Sequence, residues 1–157
     1  MPRRSKRRKA ISIMELDDLY KDLILDHCKH PRNFRPLADA EVLVDEENPT
    51  CGDHIRLTVR VEQGKIADVK FDGQGCAIST ASASMMSERL IGMPEAEARR
   101  LISDFVGVIR GEKEPDADAL GELAALEGVK QYPMRVKCAT MSWHAAEKAL
   151  DKITGNR

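Results

Sequence analysis

Four cysteines carry the clearest chemistry in this sequence: Cys28, Cys51, Cys76 and Cys138. Cys51 occupies an irregular turn before a predicted strand, Cys76 lies between a strand and a helix, and Cys138 stands at the start of the last predicted helix. At the last two positions, the positive end of a helix dipole favours the thiolate, which is the metal-binding form. We expect no secretory signal and a cytoplasmic protein, so metal binding or thiol chemistry is favoured over disulfides.

A carboxylate lies close to the first of these three cysteines, because Asp53 is two residues from Cys51. Three thiolates and one carboxylate complete a tetrahedral zinc shell. Such a shell carries more negative charge than the ion balances, and Arg135 and Lys137, which flank Cys138, are placed to offset the excess. The alternative is that Arg135 and Lys137 are ordinary solvent-exposed surface residues. Because the sequence has no CxxC pair, the spacing alone favours a metal site only moderately and leaves ordinary buried cysteines as an alternative.

A second group of possible ligands lies near residue 30. His27 and His30 are three residues apart on a predicted helix, and Cys28 lies between them. These residues could form a second metal clip, but histidines at helix ends are usually structural, and we expect the Cys28 thiol to be incidental. His54 is expected to point to the opposite face of its strand from the neighbouring carboxylate.

The strands that position these residues are predicted in the first half of the chain. Residues 42–44 form a possible short strand. Apolar and polar residues alternate across 55–62, and the apolar residues Ala67, Val69 and Phe71 continue the alternation after a turn at residues 63–64. This pattern predicts an antiparallel hairpin with one wet face.

Helices are predicted at the start of the chain and throughout its second half. A capping box at residues 12–15 opens an amphipathic helix that ends near residue 30. The later segments are 77–91, a helix opened by Pro94 with its apolar stripe at 101–109, a short helix at 118–126, and a terminal helix with its stripe at 139–153. The layout predicts an α+β fold, in which a small antiparallel three-stranded sheet has helices packed on one face.

Charge divides the chain into a basic tail, residues 1–11, and a single domain, residues 12–157. Residues 1–9 hold six Lys and Arg and no acid, so the remaining 148 residues carry 19 basic and 26 acidic residues, a net charge of −7. An acidic body does not favour nucleic acid as the main partner. Binding through the tail alone would be strongly salt-dependent. No apolar run approaches the roughly 18 residues of a membrane span.

Several short motifs resemble those of one family, the U-type iron–sulfur cluster assembly proteins. The matching segments are Asp26-His27, Pro31-Arg32-Asn33, Asn48-Pro49-Thr50-Cys51-Gly52-Asp53, Gly73-x-Gly75-Cys76-Ala77-Ile78-Ser79 and Lys137-Cys138. The chain is most similar to the SufU branch. IscU-type scaffolds carry a histidine where Lys137 stands. The segment between their second and third cysteines is also shorter than the 61 residues that separate Cys76 and Cys138 here.

The resemblance implies a SufE/IscU-like fold and a zinc ion held by Cys51, Asp53, Cys76 and Cys138. It also implies a zinc-dependent sulfurtransferase that accepts persulfide sulfur from a SufS-type, pyridoxal-phosphate cysteine desulfurase. In that family the first cysteine, matching Cys51, takes the sulfur while a histidine of the desulfurase replaces it on zinc. Downstream iron–sulfur scaffold proteins are the implied recipients.

Two other functions remain open at this point. The same ligands could hold a [2Fe–2S] cluster and make the chain a scaffold, although an ammonium at Lys137 is a poor ligand. A purely structural zinc module that mediates interactions is the other alternative, and it predicts loss of folding without metal and no effect on a desulfurase.

Overall fold

The computed structural model describes residues 13–39, 42–49 and 52–155, with side chains from residue 21 onward. The elements in chain order are helix α1 (Ile13–Lys29), strands β1 (Val44–Asn48), β2 (Asp53–Glu62) and β3 (Lys65–Gln74), helices α2 (Ala77–Leu90), α3 (Glu95–Ile109) and α4 (Ala117–Leu120), a 3₁₀ helix (Gly121–Gln131) and helix α5 (Pro133–Gly155). The three strands form one antiparallel sheet in the order β1-β2-β3, which confirms the predicted α+β class. The predicted tail, residues 1–11, lies outside the described residues.

The alternation of β2 determines which face of the sheet is covered. Ile55, Leu57 and Val59 are buried, and the polar residues between them are only half-buried. Helix α5 packs against β1 and β2, and α2 packs against β3. The sheet therefore has one face on the core and one wet face, as the sequence pattern predicts.

Two strand predictions need correction. The first strand is β1, Val44–Asn48, rather than residues 42–44. Arg60 and Val61 of β2 pair with Asp68 and Ile66 of β3, so Ala67 is the extra residue of a bulge in β3. Because a bulge shifts the pleat by one residue, Ile66 takes the buried position that the alternation assigned to Ala67.

The terminal helix also begins earlier than predicted, at Pro133 rather than near residue 139. Proline at the first helical position needs no N–H partner and has a φ already suited to the helix. Pro133 is therefore the first residue of α5. As a result, Cys138 is the sixth residue of the helix and not part of its first turn.

The predicted short helix at residues 118–126 is also divided differently. Asp116 Oδ1 accepts hydrogen bonds from the N–H groups of Asp118 and Ala119, at 3.1 and 3.3 Å, and caps α4. Gly121 has a φ of +55°, which ends the α-helix, and the chain continues as the 3₁₀ helix. The guanidinium of Arg89 donates to the carbonyls of Ala119 and Leu120 and ties this segment to α2.

A buried tryptophan fixes the relative positions of α2, α3 and α5. The Trp143 ring stacks on Phe105 with centroids 4.2 Å apart, and its Nε1–H donates to Ser82 Oγ at 3.0 Å. Ser82 Oγ in turn donates to the Ala139 carbonyl at 2.5 Å. This arrangement fixes the helix that carries Cys138 against the helix that follows Cys76.

Two irregular segments pair with the outer edge of β3. The Arg35 N–H donates to the Phe71 carbonyl at 2.9 Å, and the Phe71 N–H donates to the Asn33 carbonyl at 3.1 Å. At the other end of the strand, Ile66 exchanges hydrogen bonds with the backbone of residues 92–93, at 2.7 and 2.9 Å. The outer edge of β3 is therefore hydrogen-bonded at these two positions.

Helix α1 is fixed to α2 by a buried histidine. His27 is 2% exposed, and its Nδ1 lies 2.7 Å from Ser84 Oγ. Ser84 Oγ also accepts the Arg32 N–H at 2.8 Å. The other ring nitrogen of His27, Nε2, lies 3.7 Å from Glu88 Oε1. Burial, followed by the charge of Arg32, lowers the pKa of His27 below its ordinary value.

The buried histidine predicts a loss of stability in mild acid. Because the pKa of His27 is lower in the folded chain than in the unfolded one, the unfolded chain binds more protons as the pH falls below about 6.5. Urea unfolding should therefore give a lower free energy of unfolding at pH 5 than at pH 7. His27→Asn, which keeps a hydrogen-bonding group near Ser84, should reduce this difference.

The matched control is His30→Asn, because His30 is exposed and directly follows α1. It should keep the wild-type difference between pH 7 and pH 5. An unchanged pH dependence in His27→Asn would contradict the assignment of this effect to His27.

Candidate metal centre

Three side chains that are distant in the sequence meet at one place. Asp53, Cys76 and Cys138 each offer one ligand atom, and these atoms all lie within 4.8 Å of one another. A zinc ion with Zn–S bonds of about 2.3 Å holds its tetrahedral ligands about 3.8 Å apart. Asp53 and Cys138 are buried, while Cys76 is half-buried. The structure thus brings together three of the four residues predicted from the sequence.

The fourth predicted ligand, Cys51, lies outside the described residues and stays a prediction. The described ends of its loop are nevertheless well placed. Asn48 and Asp53 pair across the β1–β2 ladder, and the Gly52 N–H donates to the Asn48 carbonyl at 2.8 Å. The described residues on either side of Cys51 in the sequence therefore lie next to Asp53, a member of the cluster.

Asp53 is the first residue of β2, and its two carboxylate oxygens have different surroundings. Oδ1 accepts the Cys76 N–H at 3.2 Å. Oδ2 is buried and has no hydrogen-bond partner among the described residues. Leaving a buried polar group without a partner costs roughly 1–3 kcal/mol, and more when the group is charged. A cation bound at Oδ2 would remove that cost, so the residues present fit a metal ion.

Cys76 is the N-cap residue of α2. Its Sγ accepts the Ser79 N–H at 3.4 Å, and Ser79 Oγ donates to the Cys76 carbonyl at 3.0 Å. A thiolate at the N-terminus of a helix is favoured by the dipole and by the open N–H groups. The sequence prediction for Cys76 holds in this respect. The sequence prediction did not include the contact between Cys76 and Ser79, although the two residues have the three-residue spacing that is typical of an N-cap.

Cys138 is held differently from the prediction. The helix dipole acts only within the first turn, and Cys138 is the sixth residue of α5. The expectation that the dipole favours its thiolate is therefore wrong. Its position depends instead on the packing of α5 against the sheet, where the side chain is 4% exposed.

Two glycines bring the backbone close to the cluster. A Cβ on Gly75 would stand 2.1 Å from Ser79 Oγ and 3.6 Å from Asp53 Cγ. Gly73 has a φ of +137°, and a Cβ there would stand 2.1 Å from the His54 carbonyl oxygen. Only residues without a Cβ allow β2, β3 and the start of α2 to approach this closely.

The charged residues near the cluster lie on its periphery. Arg135 and Lys137 are both exposed, and their predicted role in offsetting the charge of the ligands stays a prediction. His54 Nε2 lies 2.5 Å from Asp45 Oδ1, on the wet face of the sheet. Among the described residues, Asp53, Cys76 and Cys138 are the one group of three or more ligands close enough to share a metal, so the structure does not assemble His27, Cys28 and His30 into a metal clip.

The fold and the cluster agree with comparisons to known proteins. Residues 19–152 match the family model of the NifU-like N terminal domain. The chain belongs to this family. No helix in the described part of this NifU-like domain is both long and apolar enough to cross a membrane.

Relatives of the NifU-like domain have two kinds of name. It is 45% identical over 140 residues to the zinc-dependent sulfurtransferase SufU of Bacillus subtilis, covering 89% of this chain and 95% of that protein. It is 40% identical over 142 residues to the iron–sulfur cluster assembly scaffold protein IscU of Streptococcus pyogenes, covering 90% and 89%.

A solved structure shows the same fold. The crystal structure of an iron–sulfur cluster assembly scaffold protein for the SUF system from Fervidobacterium islandicum AW-1 is similar to this chain, with a TM-score of 0.75. The sequences are 38% identical, and the match covers 82% of this chain and 93% of that one.

Gly75→Ala tests whether the close approach matters for metal binding. The new Cβ forces Ser79 Oγ to rotate and break its bond to the Cys76 carbonyl. Loss of a group that orients a ligand typically weakens metal binding 10- to 100-fold. We expect a zinc dissociation constant raised by about that factor, measured by competition with a chromophoric chelator.

Gly128→Ala is the matched control, because a Cβ at Gly128 meets nothing within 4 Å. It should bind zinc like the wild type, and circular dichroism should show both variants folded. Wild-type zinc affinity in Gly75→Ala would show that the geometry around Ser79 does not support the ligands.

Proposed function

We propose that this chain is a zinc-dependent sulfur acceptor that works in the cytoplasm. It takes persulfide sulfur from a SufS-type cysteine desulfurase and passes it to iron–sulfur scaffold proteins. The observation that supports this most directly is the buried Asp53 carboxylate, whose Oδ2 has no partner among the described residues and which lies beside the thiols of Cys76 and Cys138. The similarity to a protein named zinc-dependent sulfurtransferase points the same way.

The proposed ligands are Asp53, Cys76 and Cys138, with Cys51 as the fourth. Three thiolates and one carboxylate form a ligand set that binds zinc better than it binds hard cations such as Mg²⁺ and Ca²⁺, which prefer oxygen ligands. When bound, zinc would keep the coordinating thiols deprotonated at neutral pH.

Cys51 is the proposed sulfur acceptor. Pro49 and Gly52, the nearest described residues on either side of Cys51 in the sequence, are exposed and accessible to a partner protein. Cys138, in contrast, is buried by the packing of α5, and Cys76 Sγ already accepts the Ser79 N–H.

The transfer is a displacement at sulfur that balances without an added oxidant or reductant. The Cys51 thiolate attacks the outer sulfur of the donor persulfide, R–S–SH. A new S–S bond forms at Cys51, the S–S bond of the donor breaks, and its electron pair leaves with the donor as R–S⁻. The products are Cys51–S–SH and R–S⁻, and the outer sulfur carries its proton with it.

Single cysteine variants test this assignment. A turnover assay with a SufS-type cysteine desulfurase and L-cysteine should show that Cys51→Ser lowers sulfur acceptance to the level without this chain, because a hydroxyl cannot replace the thiolate. Cys28→Ser should retain wild-type acceptance, since Cys28 does not belong to the cluster. An equal loss in both variants would reject Cys51 as the acceptor.

A scaffold that assembles a [2Fe–2S] cluster is the second candidate function. The 40% identity to a protein named as an IscU scaffold favours it, because the same three cysteines and one aspartate could bind the cluster as cargo. Against it, Lys137 offers an exposed ammonium next to Cys138 and no additional ligand.

Metal analysis separates the two functions. Protein purified without oxygen should contain about one zinc per chain and no visible absorption band, because three thiolates and a carboxylate complete a tetrahedral zinc site. Asp53→Ala should lower the zinc content. Brown protein with iron and sulfide in place of zinc would instead support the scaffold.

A further inference from the structure

One buried hydroxyl stands apart from the others in the described part of the chain. Ser142 is 1% exposed, and its Oγ has no hydrogen-bond partner among the described residues. Burying a hydroxyl without a partner is unfavourable, so an acceptor for Ser142 is expected in the functional protein. The other buried serine and threonine hydroxyls of the described chain each have a partner within 3.0 Å, and they belong to Ser79, Ser82, Ser84, Ser87 and Thr140.

A carbonyl four residues earlier in the same helix is the usual partner for a serine or threonine hydroxyl. Thr140, two residues before Ser142, uses this partner: its Oγ1 donates to the Val136 carbonyl at 2.9 Å. The corresponding carbonyl for Ser142 belongs to Cys138, and Ser142 makes no hydrogen bond to it. The Ser142 hydroxyl therefore takes no part in the hydrogen bonding of α5.

The position of Ser142 in α5 places it beside a proposed metal ligand. It follows Cys138 by four residues, so the two side chains lie on the same face of the helix, with Cβ atoms about 5–6 Å apart. Helical side chains lean toward the N-terminus, which carries the Ser142 side chain over the turn that holds Cys138. Because Oγ and Sγ each lie one bond beyond Cβ, rotation of Ser142 about χ1 can bring them within hydrogen-bond distance.

The sulfur of Cys138 is the kind of acceptor whose strength changes on metal binding. A neutral thiol is a weak acceptor, whereas a metal ion binds the thiolate. Hydrogen bonds to an ionised acceptor are roughly twice as strong as those between neutral groups. A buried O–H group beside Cys138 is therefore matched to a ligand that becomes negatively charged when the centre is loaded.

The other two described ligands of the cluster already accept hydrogen bonds from inside the protein. Asp53 Oδ1 accepts the Cys76 N–H, and Cys76 Sγ accepts the Ser79 N–H. Donors of this kind fix the orientation of metal ligands and offset part of their negative charge. A bond from Ser142 to Cys138 extends the same arrangement to the third described ligand.

We propose that Ser142 is a positioning residue of the metal centre, whose hydroxyl donates a hydrogen bond to the thiolate sulfur of Cys138. This inference rests on the proposed function, because it assumes that Cys138 holds a metal ion. The hydrogen bond orients the sulfur toward Asp53 and Cys76 and withdraws negative charge from it. It thereby strengthens zinc binding and reduces the electron donation from this sulfur to the ion.

Ser142→Ala tests the proposal, because it removes the hydroxyl and places a good helix former in α5. With Co²⁺ in place of zinc, the charge-transfer absorption from sulfur to metal reports on the thiolate ligands. A sulfur that has lost its hydrogen bond gives up electrons more readily, so we expect this band to move to longer wavelength. The zinc dissociation constant, measured by competition with a chromophoric chelator, should rise about tenfold.

Thermal unfolding separates this role from simple packing. Because Ser142 Oγ has no partner among the described residues, Ser142→Ala should not lower the Tm of the metal-free protein. It should lower the Tm measured with zinc present, because a weaker ligand stabilises the folded chain less.

The matched control is Thr140→Val, because Thr140 is a buried residue of the same helix whose hydroxyl is satisfied by the Val136 carbonyl. It should keep the wild-type zinc affinity and the wild-type Co²⁺ spectrum. Circular dichroism should show both variants folded.

A wild-type Co²⁺ spectrum together with wild-type zinc affinity in Ser142→Ala would overturn the role of Ser142. An equal fall in Tm with and without zinc would also overturn it, because it would assign the hydroxyl to packing alone. Failure of the unmodified protein to bind either metal would instead overturn the proposed function, so the two failures can be told apart.

Discussion

A buried carboxylate is the constraint around which this part of the molecule is organised. Asp53 occupies the first position of β2, where its Oδ1 accepts the backbone N–H of Cys76 and its Oδ2 is enclosed without a hydrogen-bond partner among the described residues. An arrangement of this kind is costly unless a positive charge compensates it. The nearby thiols of Cys76 and Cys138 supply the remaining chemistry for a bound cation. The proposed centre is thus explained by one electrostatic requirement.

The elements around this carboxylate position its neighbours in different ways. The helix N-terminus at Cys76 provides N–H groups directly, and Gly75 leaves room for Ser79 to reach the Cys76 carbonyl. Cys138 depends on longer-range packing, because α5 is fixed by Trp143 at some distance from the thiol. A ligand set drawn from a strand, a helix cap and a helix interior is therefore as rigid as the core that joins them.

The sequence predicts this site better than it predicts the ends of the elements. The resemblance to a known family, rather than the spacing alone, predicts Asp53, Cys76 and Cys138, whose ligand atoms the structure brings together. The start of α5 could not be read in the same way, because Pro133 is compatible both with a break and with a first helical turn. The bulge at Ala67 arises from pairing between strands, which no local pattern shows. That Asp53 Oδ2 has no hydrogen-bond partner among the described residues likewise becomes visible only once the surrounding elements are packed.

The covered edge of β3 limits how this protein can recognise others. An exposed strand edge can recruit an extended peptide through backbone hydrogen bonds, a mode known as β-augmentation. Here residues 33–35 engage Phe71, and residues 92–93 engage Ile66 along the same strand. A partner is therefore not expected to add a fourth strand at that edge. Recognition on this side must depend on side chains, and the covered edge also protects the sheet from edge-to-edge aggregation.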